Sequence, residues 1–340
     1  MDTNFKLLPL VLSSALAVAS CGGGGSSTSS VVPPNEPPSD AQRVAAATGT
    51  ANSNTMCSLA TLGTYYWEIG DADGVKASGS PWGGPTATTS MWIFSSSKWL
   101  YAANVVQKRG VLDVDVPFLN FTSGYSEFGN APICPNGDTV ASCKAGGDGQ
   151  DPGTIGRFYY DSGHMQHHAA AVMGLGAADD VALAADLNAT VGSFGFSYTV
   201  PQLAAGVVAT PQAYAGFLRK VLRGELAIAV ALGTHKVCTN PSMPGCNAAY
   251  SPESVSTEYW NYSLGHWVED DPTVGDHAFS SAGGGGFYPW IDRDKTYYGI
   301  LAREREVEPE AGYHSAQCGR LIRQAWMTGE TVLSTVPTPE

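Results

Sequence analysis

A serine and a lysine stand three residues apart at the start of one strongly helical stretch. In a helix, Ser95 and Lys98 would lie one turn apart on the same face. Gly110 suits the position just past the end of that helix. Apolar residues follow the spacing of a buried helical face: Trp99, Ala102, Ala103 and Val106. The stretch therefore predicts a core helix whose first turn presents a serine and a lysine together.

This pair has the chemistry of a nucleophile and its base. A serine hydroxyl attacks a carbonyl efficiently only when a neighbour takes its proton. Lys98 takes that proton only if its site lowers the lysine pKa, by burial or by a nearby cation. The alternative is a serine-capped core helix in which Lys98 is solvated and takes no part in chemistry.

Strand patterns lie towards both ends of the remaining chain, and helical patterns lie between them. The aromatic run 64–69, a turn at 71–74 and the run 75–78 predict one hairpin, and a second is expected around 292–295. Helices are predicted at 41–47, 165–173, 179–187, 211–223 and 312–327. This order predicts an α+β fold, in which terminal helices flank an antiparallel sheet and a helical lobe is inserted.

The N-terminus is typical of an export signal followed by a tether. Residues 7–19 form an apolar run of signal-peptide length, too short to span a membrane. The run ends in Ala19, Ser20 and Cys21, which resembles the lipobox of bacterial lipoproteins and implies lipidation of Cys21. An ordinary secretory signal with a chance cysteine is the alternative. We expect a signal peptide at 1–20, a Gly/Ser/Pro-rich tether at 21–40 and one domain at 41–335.

Charge limits the partners of this chain. The net charge of -13 disfavours nucleic acid and anionic membrane surfaces. We therefore expect membrane attachment only through the lipid on Cys21. Gly22 follows this cysteine in place of aspartate, which by resemblance indicates the outer membrane.

Six cysteines remain after Cys21, and an even number in an exported chain favours disulfides. Two pairs would each close a short Gly- or Pro-rich loop. The third would join the N-terminal region to the C-terminal helix. The predicted pairs are Cys57–Cys318, Cys134–Cys143 and Cys238–Cys246.

Four stretches, in this order, resemble the motifs of serine β-lactamase-like hydrolases, a family that includes class C β-lactamases, D-alanyl-D-alanine carboxypeptidases and related esterases. The stretches are 95–98, 160–163, 201–210 and 281–283. The resemblance covers roughly residues 55–330. It implies the fold of that family and a lipid-anchored enzyme that cleaves a small ester or amide by acyl transfer, without a cofactor.

The resemblance implies that Ser95 attacks the carbonyl, with Lys98 and Tyr160 as the general base pair. Tyr160 would act as a phenolate or as a hydrogen-bond relay, and a phenolate needs a pKa well below about 10. Tyr159 is the alternative tyrosine, with Asp161 in the amide position of the motif. We prefer Tyr160, because an aspartate beside Lys98 would keep the lysine protonated.

The expected substrate and oxyanion residues are Ser162, Ser281, Gly283 and Gly284. The backbone N–H groups of Ser95 and Gly284 would form the oxyanion hole, each donor contributing about 3 kcal/mol. Ser281 occupies the place of the family's lysine or histidine, a cation that helps to hold a substrate carboxylate. Its absence favours a neutral ester or amide, or a non-catalytic cell-envelope binding protein on the same fold.

Three histidines suggest a competing metal site. His164, His167 and His168 have helical spacing that would let two or three of them bind zinc. No acidic residue lies between them in the metalloprotease manner. We therefore expect solvated histidines at the end of a helix, near the rim of the site, and no metal.

Overall fold

The computed structural model describes residues 36–129, 134–135, 137–144, 149–252, 257–304 and 310–334. From Pro38 onward the chain forms one compact unit. The predicted signal peptide, Cys21 and most of the predicted tether lie outside the described residues. Within the described ranges, no helix has both the length and the apolar character needed to cross a membrane.

An antiparallel sheet forms the centre of the fold. The strands are β1 (Tyr66–Asp71), β2 (Val75–Gly79), β3 (Met91–Trp92), β4 (Phe158–Tyr159), β5 (Ser197–Tyr198), β6 (Val207–Ala209), β7 (Val237–Cys238), β8 (Ala248–Tyr250), β9 (Asn261–Ser263), β10 (His266–Val268), β11 (Phe279–Ser280), β12 (Tyr288–Ile291) and β13 (Tyr297–Ala302). The central sheet has the order β2-β1-β13-β12-β11-β10-β9-β7. A small sheet, β3-β6-β5, and the parallel pair β4-β8 lie outside it.

Helices cover both faces of the central sheet. They are α1 (Asp40–Ser53), α2 (Leu59–Leu62), α3 (Ser97–Arg109), α4 (Val116–Leu119), α5 (Val140–Lys144), α6 (Gly163–Ala171), α7 (Asp180–Val191), α8 (Pro211–Leu222) and α9 (Ala311–Thr328). Tyr298 of β13 contacts α8 through Arg219, whereas Leu301 of the same strand lies against Gly319 of α9. Residues three apart in a strand point to opposite faces, so α8 and α9 lie on opposite sides of the sheet.

The predicted α+β order is confirmed, including both hairpins and the helices inserted between them. The first helix is longer than the predicted 41–47, because Thr50 and Ala51 continue its buried face. A capping box between Ser39 and Gln42 determines where it begins. Arg43 of this helix donates a hydrogen bond of 2.7 Å to the carbonyl of Trp326, which ties α1 to α9.

Buried ion pairs connect α9 to the sheet. Arg323 pairs with Glu269 at 2.9 Å and with Asp276 at 2.6 Å. Arg320 pairs with Glu258 at 2.9 Å. A buried charge without a partner would be very costly, so these pairs specify where α9 lies.

All three predicted disulfides are confirmed. Their Cα–Cα distances are 5.1, 5.2 and 5.5 Å for Cys57–Cys318, Cys134–Cys143 and Cys238–Cys246. Cys57 and Cys318 are 261 residues apart, whereas the other pairs span nine and eight. The long-range bridge therefore removes far more freedom from the unfolded chain than either local bridge.

Replacing both cysteines of the long-range bridge with alanine should lower the free energy of unfolding by about 5 kcal/mol, because loop-closure entropy grows with loop length. The matched control is the double alanine variant at Cys238 and Cys246, which should lose about 2–3 kcal/mol. Urea unfolding under non-reducing conditions measures both values. Equal losses in the two variants would contradict the prediction.

Candidate active site

Ser95 lies in a tight turn that connects β3 to α3. The turn is a 3₁₀ segment, Phe94–Ser96, and Phe94 has a φ of 46°. This left-handed conformation costs a bulky residue roughly 1–2 kcal/mol, so its surroundings must hold it in place. Ser96 Oγ donates to the carbonyls of Ser281 (2.5 Å) and Phe287 (3.1 Å), which fastens the turn to the segment between β11 and β12.

Lys98 lies in the first turn of α3 and is almost fully buried, with 1% of its surface exposed. Its Nζ lies 2.9 Å from Ser95 Oγ and donates to the carbonyl of Ala204 at 3.1 Å. Burial lowers the pKa of Lys98 to about 7, although the negative charge of Asp161 opposes this shift. These observations exclude the alternative of a solvated lysine.

The turn between β9 and β10 packs closely against the first turns of α3. Gly265 has a φ of 80°, and a Cβ there would lie 2.7 Å from the carbonyl oxygen of Lys98 and 2.6 Å from the Cβ of Ala102. Only glycine allows the turn to pack this tightly on α3. The helix that carries Lys98 is thus pressed against the sheet.

Tyr160, and not Tyr159, faces the serine and lysine. Its ring centroid lies 4.9 Å from Lys98 Nζ, and its hydroxyl is hydrogen-bonded to the Ser95 side chain. Tyr159 instead packs on Tyr250, with ring centroids 5.1 Å apart. Burial raises the pKa of Tyr160 to about 12, despite the hydrogen bond to Ser95. Of the two expected roles of this tyrosine, the phenolate is disfavoured and the protonated relay remains.

Asp161 lies behind the lysine, but its carboxylate is bound elsewhere. It accepts hydrogen bonds from the backbone N–H groups of Gly129 and Gly163, at 2.7 Å each. Burial raises the pKa of Asp161, and the charge of Lys98 opposes that shift. Burial lowers the pKa of Lys98 more than the negative charge of Asp161 raises it, so Asp161 does not hold the lysine at its ordinary pKa.

Gln166 of α6 is a site residue that sequence reasoning missed. Its buried side chain accepts from the N–H of Leu203 (3.2 Å) and donates to the carbonyl of Pro201 (2.8 Å). These bonds hold the loop whose Ala204 carbonyl binds Lys98. The only signal in the sequence was one glutamine inside an alanine- and histidine-rich helix.

The strand motif departs from two expectations. Ser281 Oγ donates to the carbonyl of Ser95 at 3.2 Å, so Ser281 braces the nucleophile instead of contacting substrate. The N–H of Gly283 donates to the carbonyl of Phe287 at 2.8 Å, so it does not serve as an oxyanion donor. A Cβ on Gly283 would lie 2.2 Å from the carbonyl oxygen of Ile93, which explains the need for glycine there. Gly284 is exposed beside the site, as expected of an oxyanion donor.

Ser162 is fully buried at the start of α6. Its N–H donates to the carbonyl of Gly129 and its own carbonyl accepts from Gln166. Ser162 is not among the described residues that line the cavity beside Ser95. Its backbone bonds help to position α6, and the expectation that its side chain bonds to Lys98 or to substrate stays a prediction.

A cavity of about 260 Å³ opens beside Ser95. Its walls are mainly aromatic, and glycines form the side next to the nucleophile. The described lining residues are Phe94, Ser95, Tyr160, Tyr250, Pro252, Trp260, Trp267, Ala282, Gly283, Gly284, Glu310, Gly312 and Tyr313. The expected nucleophile, Tyr160 and two of the expected glycines therefore meet at one opening, with Lys98 directly behind Ser95.

The three histidines do not form a site together. Both ring nitrogens of His164 and of His168 bond to protein atoms, and His167 stacks on Tyr125. Burial lowers the pKa of His164 to about 3. The expectation of solvated histidines is wrong for His164 and His168, which are fully buried. In the described ranges, no three His, Cys, Asp or Glu side chains are grouped to hold a metal.

Solved structures with this fold are β-lactamases and related hydrolases. The chain is similar to a putative β-lactamase from Bacteroides dorei DSM 17855, with 18% identity, 76% of this chain and 93% of that chain covered, and a TM-score of 0.54. It is also similar to EstCE1, a hydrolase with promiscuous acyltransferase activity. The identity is 12%, 83% of this chain and 98% of that chain are covered, and the TM-score is 0.56. A third similar structure is a putative 6-aminohexanoate-dimer hydrolase from Bacillus anthracis. The identity is 13%, 78% of this chain and 80% of that chain are covered, and the TM-score is 0.53.

No protein-family model matches the chain, and no curated protein matches it by sequence. The structural similarity nevertheless confirms the expected serine β-lactamase-like fold.

Lysine titration by NMR should single out Lys98. Of the eight lysines, Lys98 should titrate near pH 7 because of its dry site, whereas an ordinary lysine titrates near 10.4. With lysine labelled at the ε-carbon, the low-pH resonance should disappear in Lys98→Met. Asp161→Asn should lower the pKa of Lys98 further, because the opposing negative charge is removed. Lysine resonances that all titrate near 10 would contradict the assignment.

Proposed function

We propose that this protein is an exported, lipid-anchored serine hydrolase that cleaves an ester or amide by acyl transfer through Ser95. One observation carries the proposal: a nearly dry lysine with a pKa of about 7 lies 2.9 Å from a serine hydroxyl at the edge of an open cavity. A lysine with a pKa of about 7 is neutral in about half of the molecules near pH 7, and the neutral amine can take the proton of the attacking serine.

Acylation begins when Ser95 Oγ attacks the substrate carbonyl and its proton passes to Lys98 Nζ. The Ala204 carbonyl already accepts from Nζ, which directs the lone pair of the neutral amine towards Ser95. Tyr160 stays protonated, because its pKa of about 12 keeps the phenol neutral. Lys98 gives its proton to the Tyr160 oxygen, and the Tyr160 hydroxyl gives its own proton to the leaving alcohol or amine. This happens as the bond between the carbonyl carbon and the leaving group breaks.

The oxyanion of the tetrahedral intermediate lies between the backbone N–H groups of Ser95 and Gly284 in this mechanism. Each donor contributes about 3 kcal/mol to transition-state stabilisation. Water then attacks the acyl group and Lys98 takes a proton from that water. Lys98 returns this proton to Ser95 Oγ as the bond between Oγ and the acyl carbon breaks, which restores the free serine. The Ser281 hydroxyl holds the Ser95 backbone, and so supports the geometry of the nucleophile throughout.

The charge of the site argues for a substrate without a carboxylate. Ser281 stands where a cation would hold such a group, and no lysine, arginine or histidine is among the described lining residues. The open cavity also supports an enzyme over the alternative binding protein, which would be expected to have its cleft plugged by side chains. An ester or amide without a carboxylate is therefore the proposed substrate class.

Replacing Ser95 with alanine should abolish acyl-enzyme formation and reduce ester hydrolysis by at least about 10⁴-fold, because no other hydroxyl replaces the nucleophile. Intact mass after exposure to short-chain esters and β-lactams detects the acyl-enzyme. Ser97→Ala is the matched control, since Ser97 belongs to the same serine run but binds the backbone of Val207. Unchanged hydrolysis and labelling in Ser95→Ala would refute the proposed function.

The proposed anchor is a lipid on Cys21, and the three disulfides are compatible with an exported protein. In a bacterial host, the full chain should take up an alkyne-labelled fatty acid and fractionate with the outer membrane. Cys21→Ser should lose the label and leave the membrane fraction, because a lipobox needs the thiol for lipidation. Retention of the label in this variant would show that another residue is modified.

A further inference from the structure

The mouth of the cavity beside Ser95 carries a carboxylate. Glu310 lies exposed at the N-terminal end of α9 and lines the cavity. The described contacts of Glu310 include no ion pair. It is the one charged side chain among the described lining residues.

A second carboxylate lies behind the aromatic wall, but it is already neutralised. Glu258 is 7% exposed and pairs with Arg320 at 2.9 Å. It also accepts a hydrogen bond of 2.5 Å from the hydroxyl of Tyr313, which orients that ring at the cavity wall. Glu258 therefore orients part of the wall, and Glu310 is the charged side chain among the described lining residues of the opening.

The rest of the wall is also suited to a cation. Phe94, Tyr250, Trp260, Trp267 and Tyr313 surround the space in front of Ser95. The face of an aromatic ring attracts a cation through its quadrupole. An ammonium group in this space would lie among aromatic rings and near one carboxylate, whereas a substrate carboxylate would be repelled by Glu310.

We infer that the cavity selects substrates that carry a cationic group, such as a primary or quaternary ammonium, over neutral and anionic analogues. This inference rests on the proposed function, because it names the substrate class of the same site. Aromatic and carboxylate attraction together should favour the cation about 5- to 30-fold over a neutral isostere.

Three matched esters test the inference: a choline ester, its uncharged carbon isostere and an analogue with a carboxylate in place of the ammonium. The value of kcat/KM should fall in that order. Glu310→Gln should reduce the preference for the choline ester over its isostere about five-fold, and Glu310→Lys should invert the order of the charged esters. High salt should weaken all these preferences, since Glu310 is exposed.

Glu330→Gln is the matched control. Glu330 lies just beyond the C-terminal end of α9, an 18-residue helix, and so roughly 30 Å from Glu310. Its removal changes the net charge of the chain equally but leaves the cavity intact. An equal loss of preference in Glu330→Gln and Glu310→Gln would show that the overall charge, and not the cavity, attracts the cation, and would overturn the inference.

Binding without turnover keeps the inference separate from the proposed function. Phenyltrimethylammonium, benzyl alcohol and benzoate are compared by calorimetry with the wild type and Glu310→Gln. Tightest binding of the ammonium compound, weakened in Glu310→Gln, supports the inference even if Ser95 forms no acyl-enzyme. Binding of benzoate as tight as that of the ammonium compound overturns it, even if Ser95-dependent hydrolysis of the neutral ester is observed.

Discussion

The dehydration of Lys98 is the constraint on which the site depends. Lysine side chains are rarely buried, because the ammonium loses its hydration. This one is tolerated because its amine bonds to Ser95 and to the Ala204 carbonyl, and because a pKa of about 7 lets it remain neutral. The same dehydration that makes Lys98 costly to bury makes it a base near neutral pH.

The groups around Lys98 come from distant parts of the chain and need a rigid frame. The turn before α3 supplies Ser95 and α3 itself supplies Lys98. The segment after β4 supplies Tyr160, and the loop before β6 supplies Ala204. Gln166 holds that loop, and the Gly265 turn presses on α3. Beyond the site, buried ion pairs and the Cys57–Cys318 bridge attach α9 to the fold, and with it the side of the cavity that carries Tyr313.

Ser281 stands where the resemblance would place a cation, and it bears on both the position of Ser95 and the charge of the cavity. A serine in place of a cation cannot neutralise a substrate carboxylate, yet Ser281 still has a structural use, because it bonds to the carbonyl of Ser95. The charge near the opening is instead the carboxylate of Glu310. In the proposed mechanism this arrangement permits acyl transfer, and the carboxylate of Glu310 disfavours a substrate that carries a carboxylate.

Local patterns in the sequence were enough to predict the order of strands and helices, the three cysteine pairs and the serine–lysine pair of α3. These depend on periodicity, turn residues and short spacings, which the chain carries locally.

The sequence left open which tyrosine faces Ser95. It also did not reveal that Ser281 bonds to the carbonyl of Ser95 or that Gln166 holds the loop of Ala204. It also misplaced His164 and His168, whose burial depends on packing between elements far apart in the chain. Only the tertiary structure decided whether the Lys98 side chain is buried, because its pKa depends on the atoms that surround its amine. Those atoms include Ala204 and Tyr160, which are far from Lys98 in the sequence.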